Sequence, residues 1–185
     1  MDNRKIRALA NVKLQNVPRK YSDLPYIVHP ATMVNMLLSW GEPADSRAIA
    51  IAWGHDLREE TDVTPEKIIA ASDEYVWLDI ELLSFYGGDK QVYLENIAER
   101  GNRDVLLVKM TDRICNALDF LSEGKAAYAR EYLHKADCIY HACLHFLKNM
   151  KGYDITLWRA FDSWNNVSAL LLEREVNVKT NSVQS

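Results

Sequence analysis

Apolar residues recur at spacings of three and four along almost the whole of this 185-residue chain, and alternating apolar and polar runs bounded by turn residues are nearly absent. That periodicity predicts an all-α fold. The spacing places helices at about 3 to 14, 29 to 40, 44 to 57, 65 to 84 with a break near Asp73, 88 to 100, 103 to 122, 124 to 149 and 155 to 174. Start signals agree with this division: Pro43-Ala44-Asp45, Thr64 followed by Pro65 and Glu66, and Asp154 each stand where a helix should open. Gly41, Gly87-Gly88, Gly101 and Gly152 punctuate the connections. The segment from Glu175 onward is polar and loses its helical periodicity, so fraying is expected there.

A chain of this length can bury roughly two thirds of the surface its unfolded form exposes, so one domain without covalent staples is the expectation. Cys115, Cys138 and Cys143 match neither a zinc module nor a disulfide framework and are expected to be small core residues in a reducing compartment. With a net charge of -4, general binding to nucleic acid is not expected, although a local basic pocket for a phosphorylated ligand is compatible with it. The first sixteen residues lack the apolar centre of a signal peptide, and no run of eighteen apolar residues occurs, so a cytoplasmic protein without membrane contact is expected.

The segment "AIAIAWGHDLREETDVTPEK" carries the chemistry. An apolar helix ends there in His55, Asp56, Glu59 and Glu60, and a buried carboxylate without a partner costs several kcal/mol. Two other polar residues interrupt apolar helices: His29, before Pro30, and Asp112, in "DVLLVKMTDRICNALDFL". Adjacent helical residues point about 100° apart, so His55 and Asp56 can approach one ion from neighbouring directions while His29 and Asp112 come from other helices. Two nitrogen and two oxygen donors suit Mn, Fe, Co or Zn. Taken singly, each feature has an ordinary structural explanation: a helix start, an incidental pair, or an aspartate matched by Arg or Lys.

In order, His29, His55-Asp56 and Asp112 resemble the H…HD…D ligands of the HD-domain superfamily of metal-dependent phosphohydrolases. The fuller set is similar to RelA/SpoT hydrolase domains and stand-alone small alarmone hydrolases of the metazoan SpoT homologue type. It comprises Arg19-Lys20, Pro25-Tyr26-Ile27-Val28-His29-Pro30, His55-Asp56-Leu57-Arg58-Glu59-Glu60-Thr61, and Val108-Lys109-Met110-Thr111-Asp112-Arg113-Ile114-Cys115-Asn116. The resemblance covers about residues 15 to 120. Two positions depart from the pattern: Glu60 stands for an aspartate and Leu118 for an arginine.

The resemblance implies a single HD-domain helical bundle over residues 1–175, with a metal site between its central helices and a polar tail over 176–185. It also implies His29, His55, Asp56 and Asp112 as ligands of a divalent ion, with Mn2+ preferred. Glu59 and Glu60 would position the attacking water, and Arg19, Lys20, Asn116 and Lys90 would contact a small nucleotide. The implied reaction is cleavage of ppGpp to GDP and pyrophosphate. A 5'-nucleotidase or dNTP phosphohydrolase of the same superfamily, and a nucleotide-binding protein of weak turnover, remain open alternatives, as does a homo-oligomer. His134, His141 and His145 share one helical stretch but lack the acidic partner of a metal helix and are expected to line a packed or half-exposed face. Trp158, Phe161 and Trp164 are expected to pack as core, with a dimer contact as the alternative.

Overall fold

The computed structural model describes residues 2–20 and 24–183, and every regular element among them is helical. In chain order these are α1 (Arg4–Leu14), α2 (Val28–Ser39), α3 (Arg47–Gly54), α4 (Leu57–Glu60), α5 (Pro65–Ala71), α6 (Glu74–Leu83), α7 (Lys90–Arg100), α8 (Arg103–Ser122), α9 (Ala126–His134), α10 (Asp137–Asn149) and α11 (Ile155–Val183). Local chemistry accounts for most of the starts. Asp73 accepts from the Val76 N–H at 2.8 Å, Asp89 from Gln91 at 2.7 Å, Asn102 from Asp104 at 2.9 Å and Asp154 from Leu157 at 2.9 Å. Each side chain satisfies an amide that the first helical turn leaves without a partner.

Four boundaries differ from the periodicity reading. The third helix opens three residues late, because Ser46 rather than Pro43-Ala44-Asp45 caps it, accepting from Ile49 at 3.3 Å. It also stops at Gly54, so that His55 and Asp56 form the joint to α4. The stretch from 124 to 149 is two helices, with the break at Lys135-Ala136 and no glycine or proline to announce it. Tertiary packing explains this joint: α9 lies against α8 and α11, whereas α10 reaches α7 as well, and one straight rod could not serve both. Finally, α11 continues beyond residue 174 to Val183. A helix already nucleated by its packed first turns extends at little cost per added residue.

The axis of the fold is α8. Twelve of its twenty residues are buried, and α2, α3, α6, α7, α9, α10 and α11 all pack on it. A helix so enclosed must bury whatever polar groups it carries, and Thr111, Asp112 and Arg113 are all inside. Its companion α3 is equally buried, with Ala48 to Gly54 all enclosed. Gly54 permits that closeness, since a Cβ there would stand 2.5 Å from Ile80 Cδ1 of α6. Cys115 and Cys143 are buried and all three thiols are free. Trp164 is core, while Phe161 stacks on Tyr140 with ring centres 4.5 Å apart. Among the described residues no helix is long and apolar enough to cross a membrane.

Far from the site, Arg103 clasps three segments. Its guanidinium donates to both carboxylate oxygens of Glu42 (2.9 and 2.8 Å) and of Asp154 (2.8 and 3.0 Å), joining the α2–α3 loop to the starts of α8 and α11. Glu42 is only 5% exposed. Arg103→Ala strands that carboxylate, and a loss of about 3 kcal/mol is expected from the urea midpoint, the scale for removing one partner of a buried pair.

Candidate metal centre and its cavity

Three helices deliver the polar groups that the sequence singled out. His29 enters from the first turn of α2, where Pro30 is tolerated because that turn's amides need no helical acceptor. His55 and Asp56 come from the α3–α4 joint, and Asp112 from the middle of α8. His29, His55 and Asp112 are buried, and each offers a ligand atom within 4.8 Å of the others. Asp56 stands beside them: its Oδ2 lies 3.0 Å from His55 Nε2 and 3.7 Å from His29 Nε2.

The donor set fits a cation. Nδ1 of His55 lies 2.9 Å from the Ala52 carbonyl. A carbonyl only accepts, so Nδ1 carries a hydrogen and Nε2 is the atom turned into the site. There burial opposes an imidazolium, but the Asp56 carboxylate outweighs it and pushes the His55 pKa up to about 9, so a cation would displace a proton from Nε2. His55 Nε2 and Asp56 Oδ2 are 3.0 Å apart as an ion pair, yet neither atom has a well-directed hydrogen bond among the described residues. Buried polar atoms that converge without a well-directed hydrogen bond are costly unless a third body satisfies them. Burial opposes ionisation of Asp112, but the Lys109 ammonium and His29 outweigh it and hold the carboxyl well below its usual range. Asp56 is likewise kept ionised against its burial, chiefly by His55. Both carboxylates are therefore in the form that binds metal.

This group floors a cavity of about 460 Å³, into which Asp56 and Asp112 open. All the remaining residues expected from the sequence to meet water or nucleotide line the same space. Glu59 accepts a hydrogen bond from the Phe85 N–H at 2.9 Å, and burial followed by the nearby Asp56 charge raises its pKa. Glu60 lies across from Lys20, whose Nζ is 4.0 Å from its carboxylate. Arg19 is held over the Tyr26 ring, donates to Asn116 at 2.8 Å and pairs with Asp119. Its other terminal nitrogen is buried and lacks a partner. An antiparallel bridge between Pro18 and Pro25 fixes this segment beside α2. Asn116 also donates to Asp112 at 2.6 Å, as its position one turn later on α8 suggests. Lys90 is at the exposed mouth, 5.5 Å above the Phe85 ring. His134, His141 and His145 are exposed, and none belongs to a metal-like group among the described residues.

Lys109 and Tyr93 also reach the cavity, and neither had been given a role. Lys109 had a signal, since a lysine three residues before a buried aspartate shares its helix face. Tyr93 had none, being the single aromatic of an ordinary amphipathic helix.

No family model matches the sequence, and no curated protein does. Among solved structures, the chain is similar to a metazoan orthologue of SpoT that hydrolyses ppGpp and plays a role in starvation responses. The TM-score is 0.67 over 88% of this chain and 92% of that one, with 16% of residues identical. At that identity the likeness is one of fold, and it is the all-α fold that the motifs implied.

Proposed function

We propose that this protein is a metal-dependent phosphohydrolase that removes the 3'-pyrophosphoryl group of ppGpp, giving GDP and pyrophosphate. One observation carries the reading: the buried His29, His55 and Asp112, with Asp56 beside them, floor a cavity that also holds the Glu59 carboxylate and several cations. The fold of a ppGpp-hydrolysing protein supports the choice of nucleotide.

His29, His55, Asp56 and Asp112 would hold the divalent ion, and Mn2+ suits their mixture of imidazole and carboxylate. When bound, such an ion supplies Lewis acidity, lowering the pKa of water and offsetting phosphoryl charge. The chain's own groups do the rest. Glu59, with a raised pKa and one oxygen fixed by the Phe85 N–H, accepts the proton of the attacking water through its other oxygen. Glu60 shares in orienting that water. Arg19 and Lys20 offset phosphate charge, Lys90 meets phosphate at the cavity mouth, and Asn116 offers hydrogen bonds to the sugar or base. Water adds to the phosphorus next to the ribose 3'-oxygen, the P–O3' bond breaks, and the nucleoside 3'-hydroxyl leaves with a proton.

The direct test is incubation with Mn2+ and a panel of ppGpp, GTP and dATP, with products separated by chromatography. Release of pyrophosphate from ppGpp alone is expected. Release of triphosphate from dATP with ppGpp intact would move the reading to a dNTP phosphohydrolase. Arg19→Ala removes a charged phosphate donor worth about 1.5 to 3 kcal/mol. A fall in kcat/KM for ppGpp of roughly tenfold to a hundredfold is expected, with metal content unchanged.

A further inference from the structure

Lys109 projects from α8 one turn before Asp112, and its surroundings are unlike those of the other cations in the cavity. Lys20 is solvated, Lys90 sits at the mouth, Lys135 pairs with Glu131, Arg113 lies over the Tyr132 ring, and Arg19 is engaged with Asn116 and Asp119. The Lys109 ammonium is 12% exposed, stands 3.0 Å from Asp112 Oδ2 and donates to the Tyr93 hydroxyl at 3.1 Å. Tyr93 is itself fixed, since its hydroxyl donates to the Leu83 carbonyl and its ring packs 5.1 Å from Phe85. Phe85 in turn holds Glu59 through its backbone. Two of the three ammonium hydrogens thus have partners, and among the described residues no third partner is present in the cavity that Lys109 lines.

We infer that Lys109 is a phosphoryl-binding residue whose fixed charge also weakens cation binding by the His29, His55, Asp56 and Asp112 group. The inference rests on the metal-dependent reading above and extends it to a residue with two opposed effects. A lysine has only donors, so its remaining hydrogen can meet only an acceptor, and a phosphoryl oxygen drawn to the floor of the cavity is one. The same positive charge shares a carboxylate with the ligand set and repels a divalent ion across a short, partly desolvated distance. The arrangement trades metal affinity for anion affinity. Tyr93 is a positioning residue in it: the hydroxyl keeps the lysine stem from swinging out to solvent.

These opposed effects separate the inference from a structural role, which would lower every affinity together. Lys109→Met should bind Mn2+ about tenfold more tightly in competition with a chromogenic chelator, because a repelling unit charge has been removed. The Mn2+-loaded variant should bind inorganic phosphate at least tenfold more weakly by calorimetry. Lys109→Arg should stay within a few-fold of wild type in Mn2+ affinity. Should Lys109→Met fail to fold, Lys109→Gln carries the same two measurements, and Tyr93→Phe should weaken phosphate binding severalfold. If wild-type protein takes up Mn2+ but the variants leave both affinities unchanged, or lower both, the assignment of Lys109 is wrong while the metal reading stands. If wild-type protein takes up no divalent metal, the metal reading fails and this inference falls with it.

Discussion

His55→Ala and Asp112→Ala are each expected to empty the metal centre and to lower ppGpp turnover by more than a thousandfold. The four proposed ligand groups come from α2, the α3–α4 joint and α8, so no single segment would hold the ion. In His55→Ala the group that converges with Asp56 and Asp112 loses one of its two nitrogen donors. In Asp112→Ala, Lys109 also loses its carboxylate, leaving a partly buried ammonium without its counter-charge. About one Mn2+ per chain is expected in wild-type protein by elemental analysis, and close to none in either variant. Because an ion that binds only the folded state stabilises it by mass action, added Mn2+ should raise the Tm of wild type but not of the variants. Full metal content in both variants would remove these residues from the ligand set.

Glu59→Gln is expected to separate binding from chemistry. The substitution keeps the shape and an oxygen that can accept from Phe85, and it removes the basic carboxylate. Turnover of ppGpp should fall by roughly a hundredfold or more, the scale for losing a positioned general base, while Mn2+ content and KM stay near their wild-type values. Glu60 offers the comparison: it faces Lys20 and has no backbone donor fixing it, so Glu60→Gln should cost less. If Glu59→Gln retained turnover and Glu60→Gln lost it, the base would be Glu60.

The helical class and most helix starts were legible because they depend on local rules. Asp73, Asp89, Asn102 and Asp154 cap their own next turn, and three-and-four spacing repeats one buried face along a helix such as α1, where Ile6, Ala10 and Leu14 are enclosed. The ligand candidates were legible for a related reason: His29, His55 and Asp112 each break an apolar run, and a polar residue inside such a run needs a partner. That the three meet was a matter of packing. Gly54 lets α3 approach α6, α8 packs on both α2 and α3, and only their combined positions bring the histidines and Asp112 within 4.8 Å.

Tertiary structure alone decided the break at Lys135-Ala136, where two packing partners compete for one stretch of helix, and the continuation of α11 to Val183. It also decided the meeting of Lys109 with Tyr93, sixteen residues apart on different helices. No periodicity encodes that contact, because a residue's spacing along its own helix fixes which face it occupies but not what another helix places opposite. The sequence by itself therefore determined which residues must be buried with a partner. The arrangement of α7, α8 and the α6–α7 loop determined which partner each one found.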